Sequence, residues 1–540
     1  MENTLKIIVM FMVMQALGLV AGQGGSWQVL QKMAGIASMH TAITNTDQAI
    51  LLDRTNEGAT KLGLPGGRCR NQPLERVLKK DCWAHSVMLN PGNGAVRALS
   101  ISTDTGSSSG QFMGNGVLVQ TGGDFEGIRK IRTLTPCGAG GNCDWVETKE
   151  LLAKARSYST NHILPGGYSQ IIVGGRNEPT YEFYPKRKPG EGVFPLNKLK
   201  GFAQNSLYPF VFLLNSRTLF IFAGRDSLVW DYVHGGVITY LPTMPGNPRT
   251  FPNGGSAVML PFRVPWYANE FLICGGAAAG AATSGNGAAP ATASCGRIIP
   301  MTSSANPQWK MEDMPIRRVM GDMVNLPNGQ VLIINGAQNG YQGLGKAGNP
   351  ALNPVLYSPD AAAGKRFQVM AKSTIPRMFH STANLLSDGR VLIAGSNTHQ
   401  FYTDTGAFPT ELRVEAYSPP YLSPTFDTIR PRITASPKTI AYQKKFFVTF
   451  AVEKLQGDAL HNKVQVMLMS APYSTHSFAQ GQRAIQVGAN PPIKVGAGWQ
   501  VQATGPVTDS VMPQQYYMLF IVHAGIPSKA VWVQLAGAAA

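Results

Sequence analysis

One local pattern recurs along most of the chain: a turn rich in Gly, Asn or Asp, a short apolar strand, then Gly or Gly-Gly. The clear copies are Gly114–Gly123, Pro165–Gly175, Asn215–Gly224, Ala268–Gly276, Pro327–Ala337 and Ser387–Ser396, with a weaker one over Asn45–Asp53. Their Val, Leu and Ile run continuously instead of alternating, which indicates strands covered on both faces. The glycines that follow mark places where backbones crowd. Seven copies spaced by about 50 to 70 residues fit the kelch period of about 50 and its four-stranded blades. The expectation is an all-β, seven-bladed kelch-type β-propeller whose apolar copies are the inner strands. A composition of 59 Gly, 37 Pro and only 14% charged residues suits many short strands joined by tight turns.

After Ser396 the pattern stops, and the Pro-rich stretch Val414–Ile433 reads as a linker or domain edge. Alternating segments follow (FFVTFAV, VQVMLMSAPY, AIQVGA, WQVQATGP and YYMLFIVHAGIPSKAVWVQL), and their length and spacing predict an immunoglobulin-like β-sandwich. The Ala- and Gly-rich segment between Cys274 and Cys295 reads as a flexible loop tied at its base. Three segments result: 1–22, 23–425 for the propeller and 426–540 for the sandwich.

The first segment has the form of a secretory signal peptide, with Lys6 before an apolar run from Ile7 to about Val20 and small residues ahead of Gln23. Gln15 interrupts that run, which argues against a membrane anchor, and no later segment is long and apolar enough to span a bilayer. The expected location is outside the cell, in the cell wall or apoplast if the source is a plant. Six cysteines fall as local pairs, Cys69 with Cys82, Cys137 with Cys143 and Cys274 with Cys295; proximity alone suggests these three disulfides, although six cysteines allow 15 connectivities. The formal charge of +17 suggests an acidic partner such as an extracellular polysaccharide, against the plainer reading of a generally basic surface. No nucleic acid partner is expected of a secreted chain with scattered Lys and Arg.

Several phrases go further: WQVLQKMAGIASMHTAI, LDRTNEG, CRNQPLERVLKKDCWAHSV, VLVQTGGDFEGIRKIRTLTPC, IPRMFHSTANLLSDGRVLIAGSNTH and HSFAQGQR. With the kelch copies and the C-terminal strands, they resemble the plant-type glyoxal or aldehyde oxidases of the galactose oxidase superfamily, copper-radical oxidases whose propeller precedes an early-set sandwich. The resemblance implies oxidation of a small aldehyde with dioxygen and water to a carboxylic acid and hydrogen peroxide. Copper takes one electron there, and a tyrosyl radical cross-linked to cysteine takes the other. Carried over by motif, the metal ligands are His380 in PRMFHS, His476 in APYSTHSF and Tyr158, the radical position, in ARSYSTNHILP.

Two positions depart from the family pattern. TDTGSSSG places Ser107 where the cross-linking cysteine belongs, and RMFHS places Phe379 where the axial tyrosine belongs. Serine forms no thioether, and phenylalanine has no oxygen to bind copper or accept a substrate proton. Six locally paired cysteines leave none spare. Whether the protein is an enzyme is therefore open at this stage: one reading is a copper-binding protein without the tyrosyl-cysteine radical and with impaired or absent oxidase activity. The others are an active aldehyde oxidase with a modified site and a copper-free extracellular glycan-binding propeller.

Overall fold

The computed structural model describes residues 24–202, 207–265, 267–301, 306–453 and 464–537; the signal-like segment 1–22 lies outside them. Seven four-stranded antiparallel units surround one axis. Their innermost strands are His40–Ile43, Ser109–Phe112, Thr160–Ile163, Phe210–Leu213, Ser256–Met259, Asp322–Asn325 and Thr382–Leu385, which define blades one to seven. The last blade takes its outer strand, Ser26–Gln31, from the start of the chain, where it pairs with Val414–Ser418 and closes the ring. Residues 414–418, read above as part of a linker, are thus the third strand of blade seven.

The recurrent apolar segments are the second strands of their blades and not the innermost ones. Ala49–Leu52, Leu118–Thr121, Gln170–Val173, Leu219–Ala223, Phe271–Cys274, Val331–Ile334 and Val391–Ala394 are buried at every residue. Neighbouring blades cover both faces of a second strand, which explains its unbroken hydrophobicity. The innermost strands line the axis, and five of the seven are more polar (HTAI, SGQF, TNHI, DMVN and TANL), whereas FVFL of blade four and SAVM of blade five remain largely apolar.

Buried arginines brace individual blades. Arg156 donates to the Gly174 carbonyl at 2.6 Å, Arg249 to Gly275 at 2.5 Å, Arg318 to Asn335 and Arg377 to Gly395. Each thereby satisfies a carbonyl at the end of its own blade's second strand. Arg156 and Arg377 are neutralised by Glu182 and Glu415, whereas burial lowers Arg249 and Arg318 to about 10. Part of the chain's positive charge is therefore interior scaffolding and not a surface available to an acidic partner.

The three disulfides are Cys69–Cys82, Cys137–Cys143 and Cys274–Cys295, which use all six cysteines. The Ala- and Gly-rich segment is built into the structure and is not a loose loop. It carries the short helix Ala281–Ser284 and buries Ala277, Ala281 and Ala291. Backbone bonds from Ala291 to Gln338 (2.8 Å) and from Gly340 to Ala289 (2.8 Å) fix it against a hairpin of blade six. Side chains this small let two backbones approach closely enough to bond.

The C-terminal strands form two facing sheets. One contains Val464–Ser470, Ala484–Val487, Tyr516–His523 and Val531–Ala536; the other contains Arg432–Ala435, Lys445–Ala451 and Gly498–Thr504. Their core, including Phe446, Phe450, Leu468 and Val501, is continuous with Phe210, Phe212 and Phe271 of the propeller. From this sandwich the hairpin Tyr473–Thr475/Phe478–Gln480 enters the axis and pairs with the innermost strand of blade one, Thr475 opposite His40 and Tyr473 opposite Ala42. No described helix is long and apolar enough to cross a membrane.

The end of each second strand is a tight joint. Gly395 has φ +74°, and a Cβ there would run into the carbonyl oxygens of His380 and Ser38. Gly395→Ala is expected to cost more than about 1 kcal/mol in denaturant unfolding, while Gly348→Ala, which meets nothing within 4 Å, should stay within about 0.5 kcal/mol.

Candidate functional site at the propeller axis

The blade repeat itself creates a ring of special positions. Two residues before the innermost strand of blades two to seven stand Ser107, Tyr158, Tyr208, Gly254, Met320 and His380, all with φ between 46° and 67°. Left-handed backbone is costly for non-glycine residues and persists only where the surroundings impose it. Hydrogen bonds between neighbouring blades impose it at three of them. The Tyr158 amide donates to Ser107, Tyr208 to Tyr158 and Met320 to Gly254, each at 2.7 Å. The turn so formed aims each axial side chain inward.

His476, at the tip of the inserted hairpin with φ 44°, meets this ring. Its imidazole lies 5.1 Å from that of His380, 5.8 Å from the Tyr158 ring and 4.9 Å from the Tyr208 ring, between ring centroids. Phe379 packs against His380 at 3.9 Å and approaches His476 at 5.6 Å. The structure thus brings together all five positions picked out from sequence: Ser107, Tyr158, Phe379, His380 and His476. Ser107 touches Tyr158 through the backbone bond already described.

Both histidines present an unpartnered nitrogen. Nδ1 of His380 and Nε2 of His476 are buried without a hydrogen bond. Burial holds both imidazoles well below the ordinary histidine range, helped at His380 by His476, Arg54 and His40, and at His476 by His40 and Arg54. They are neutral at physiological pH, each with a lone pair to offer.

For His476 a hydrogen-bonded chain assigns which nitrogen that is. The Thr105 carbonyl can only accept, so His40, neutral with its value lowered to about 3, donates from Nε2 at 3.0 Å. Its Nδ1 then accepts from the Thr475 hydroxyl at 2.7 Å, and that hydroxyl accepts from His476 Nδ1–H at 2.6 Å. The proton sits on Nδ1, and the Nε2 lone pair faces the site, as second-sphere partners arrange for metal-binding histidines.

Tyr158 is half-buried; Phe251 packs on its ring at 4.5 Å, and the Arg176 guanidinium lies 5.1 Å from its centroid. A cleft of about 340 Å³ opens over this group, lined by Arg54, Asn56, Ser107, Tyr158, Phe379 and His380. Among the described residues no group of three or more His, Cys, Asp or Glu is set to hold a metal, so any metal here depends on two histidines and a tyrosine. Tyr208 escaped the sequence reading. It is buried, donates its hydroxyl to the Ser108 carbonyl at 2.8 Å and packs on His476. Counting two residues back from each innermost strand would have found it.

The family model described as glyoxal oxidase N-terminus matches residues 39–421, and that of the galactose oxidase-like early set domain matches residues 430–535. An aldehyde oxidase from Vitis pseudoreticulata is 46% identical over 514 residues, covering 95% of this chain and 97% of the relative. The aldehyde oxidase GLOX1 of Arabidopsis thaliana is 37% identical, covering 95% and 84%. Among solved structures, a fungal alcohol oxidase in complex with copper superposes with a TM-score of 0.72 over 95% of this chain and 99% of the other; at 17% identity it supports the fold alone.

The hydroxyl of Thr475 is the link on which the His40–His476 chain depends. Thr475→Val leaves two buried imidazole nitrogens unsatisfied and should lower unfolding stability by about 1–3 kcal/mol. Thr475→Ser should recover most of it, with chemical denaturation as the measurement.

Proposed function

Because this chain belongs to the glyoxal oxidase family of copper-radical oxidases, we propose that it is a secreted member that binds copper at His380, His476 and Tyr158 but has little or no aldehyde oxidase activity. The observation that carries this reading is Ser107 beside Tyr158, in a chain whose six cysteines are all in disulfides.

The donor set suits copper: two neutral imidazoles with unpartnered nitrogens and one accessible phenol, with solvent able to reach the cleft. Bound copper would supply a one-electron acceptor, whereas aldehyde oxidation removes two electrons. The chain's own residues do not provide well for the second. Ser107 offers Tyr158 a hydroxyl where a thioether is required. The Arg176 cation over the Tyr158 ring favours the electron-rich phenol over its oxidised form. Phe379 presents a hydrocarbon ring to His380 and His476, so nothing at that position can take a proton from the substrate. Arg54 and Asn56 still give the cleft polar groups for a small carbonyl compound.

Location outside the cytosol is supported by the three disulfides and by the signal-like start of the sequence. The same reading assigns 23–425 to the propeller and 426–540 to the sandwich.

Copper-loaded protein is expected to take up about one equivalent of metal and to make no peroxide from glyoxal, methylglyoxal or hexanal; turnover of any of them at the rate of an intact relative would refute the proposal. The double variant Ser107→Cys/Phe379→Tyr should produce peroxide. Intact mass supplies an independent check: wild-type protein should lose only the hydrogens of three disulfides, and the aerated copper-loaded double variant two more.

A further inference from the structure

Beside the axial cleft lies a second cavity of about 200 Å³, which shares Gly343, Lys346 and Phe379 with it. Its walls come from three sources. Met320 and Met378 rise from the axial turns, Ala347 belongs to the blade-six hairpin, and Ala407 and Phe408 lie on the loop of blade seven. The polar side chains in the wall are largely spent elsewhere. His399 Nε2–H donates to the carbonyls of Ala407 and Phe408 at 3.1 and 3.0 Å, and the Thr398 hydroxyl donates to Phe408 at 3.2 Å. Lys346 is exposed, and its ammonium has water available. The cavity therefore has sulfur and carbon surfaces and few free hydrogen-bonding groups, which suits an apolar occupant.

We infer that this cavity is the subsite for the apolar tail of a carbonyl substrate whose head lies in the axial cleft between Tyr158 and His380. The shared walls Gly343, Lys346 and Phe379 support that assignment, because they set the cavity directly against the cleft. The volume supports it too: 200 Å³ is room for about six groups of water size at about 30 Å³ each. The preferred ligand class is an aliphatic aldehyde of medium chain length, or its alcohol, and not a two-carbon dialdehyde. The inference rests on the reading of the cleft as a carbonyl site, and its test uses binding alone, so it stands or falls independently of turnover.

The probe is 1-hexanol, with ethanol as the short reference, titrated into the full chain carrying methionine labelled at the methyl carbon. Hexanol is expected to bind at least about tenfold more tightly than ethanol and to shift the Met320 and Met378 methyl signals. Ala407→Trp, on an exposed stretch of the loop, should reduce the hexanol affinity to that of ethanol while leaving the melting temperature unchanged. Equal affinities for the two alcohols, or hexanol shifts confined to other methionines, would overturn the assignment. Peroxide production has no bearing on either result, so failure here leaves the proposal of lost oxidase activity intact, and the reverse also holds.

Discussion

The structure depends on one insertion. A propeller brings the edges of its innermost strands to a common axis, where unpaired amides and carbonyls would be buried without partners. The hairpin of the C-terminal sandwich fills that space. It pairs as a strand with blade one, and its side chains serve the others: Gln480 accepts from the amides of Asn161 at 3.0 Å and Gly110 at 3.4 Å. Gln482, just beyond the hairpin, accepts from Asn325 at 2.7 Å and donates to Met323 at 2.9 Å. Gly110 leaves room for the Tyr473 ring, which a Cβ would strike. The same hairpin that satisfies the axis delivers His476.

Strain and function coincide there. Left-handed residues that are not glycine recur at one register position around the axis, and at Tyr158, Tyr208 and Met320 the bonds that hold them are bonds that join blade to blade. Packing of the blades therefore generates the geometry of the site. Tyr158 is held by the ring, His476 by the plug, and the chain from the Thr105 carbonyl through His40 and Thr475 ties the two together.

Much of this was legible in the residues themselves. The apolar copies announced seven blades, since two-sided burial leaves no alternation to misread. Local cysteine pairs became the disulfides, and the motifs around Tyr158, His380 and His476 led to one point. Three readings needed correction because tertiary contacts decide them. The apolar copies are second strands, since it is neighbouring blades and not the axis that cover both faces. Val414–Ser418 reads as Pro-rich linker only because its strand partner, Ser26–Gln31, lies at the far end of the chain. The Ala- and Gly-rich segment looks floppy in composition, yet that smallness lets it bond to the next blade's hairpin. Tyr208 stayed hidden because its phrase contains no histidine or cysteine to draw notice.

The ring of axial turns has a consequence for substitution. The blade-to-blade bonds at Tyr158, Tyr208 and Met320 are backbone to backbone, so they make no demand on which side chain the turn carries. Serine, tyrosine, methionine, histidine and glycine all occupy equivalent places in this one molecule. A substitution at such a position therefore leaves these blade-to-blade bonds in place. At these turns the backbone builds the architecture of the axis, and the side chains it carries set the chemistry.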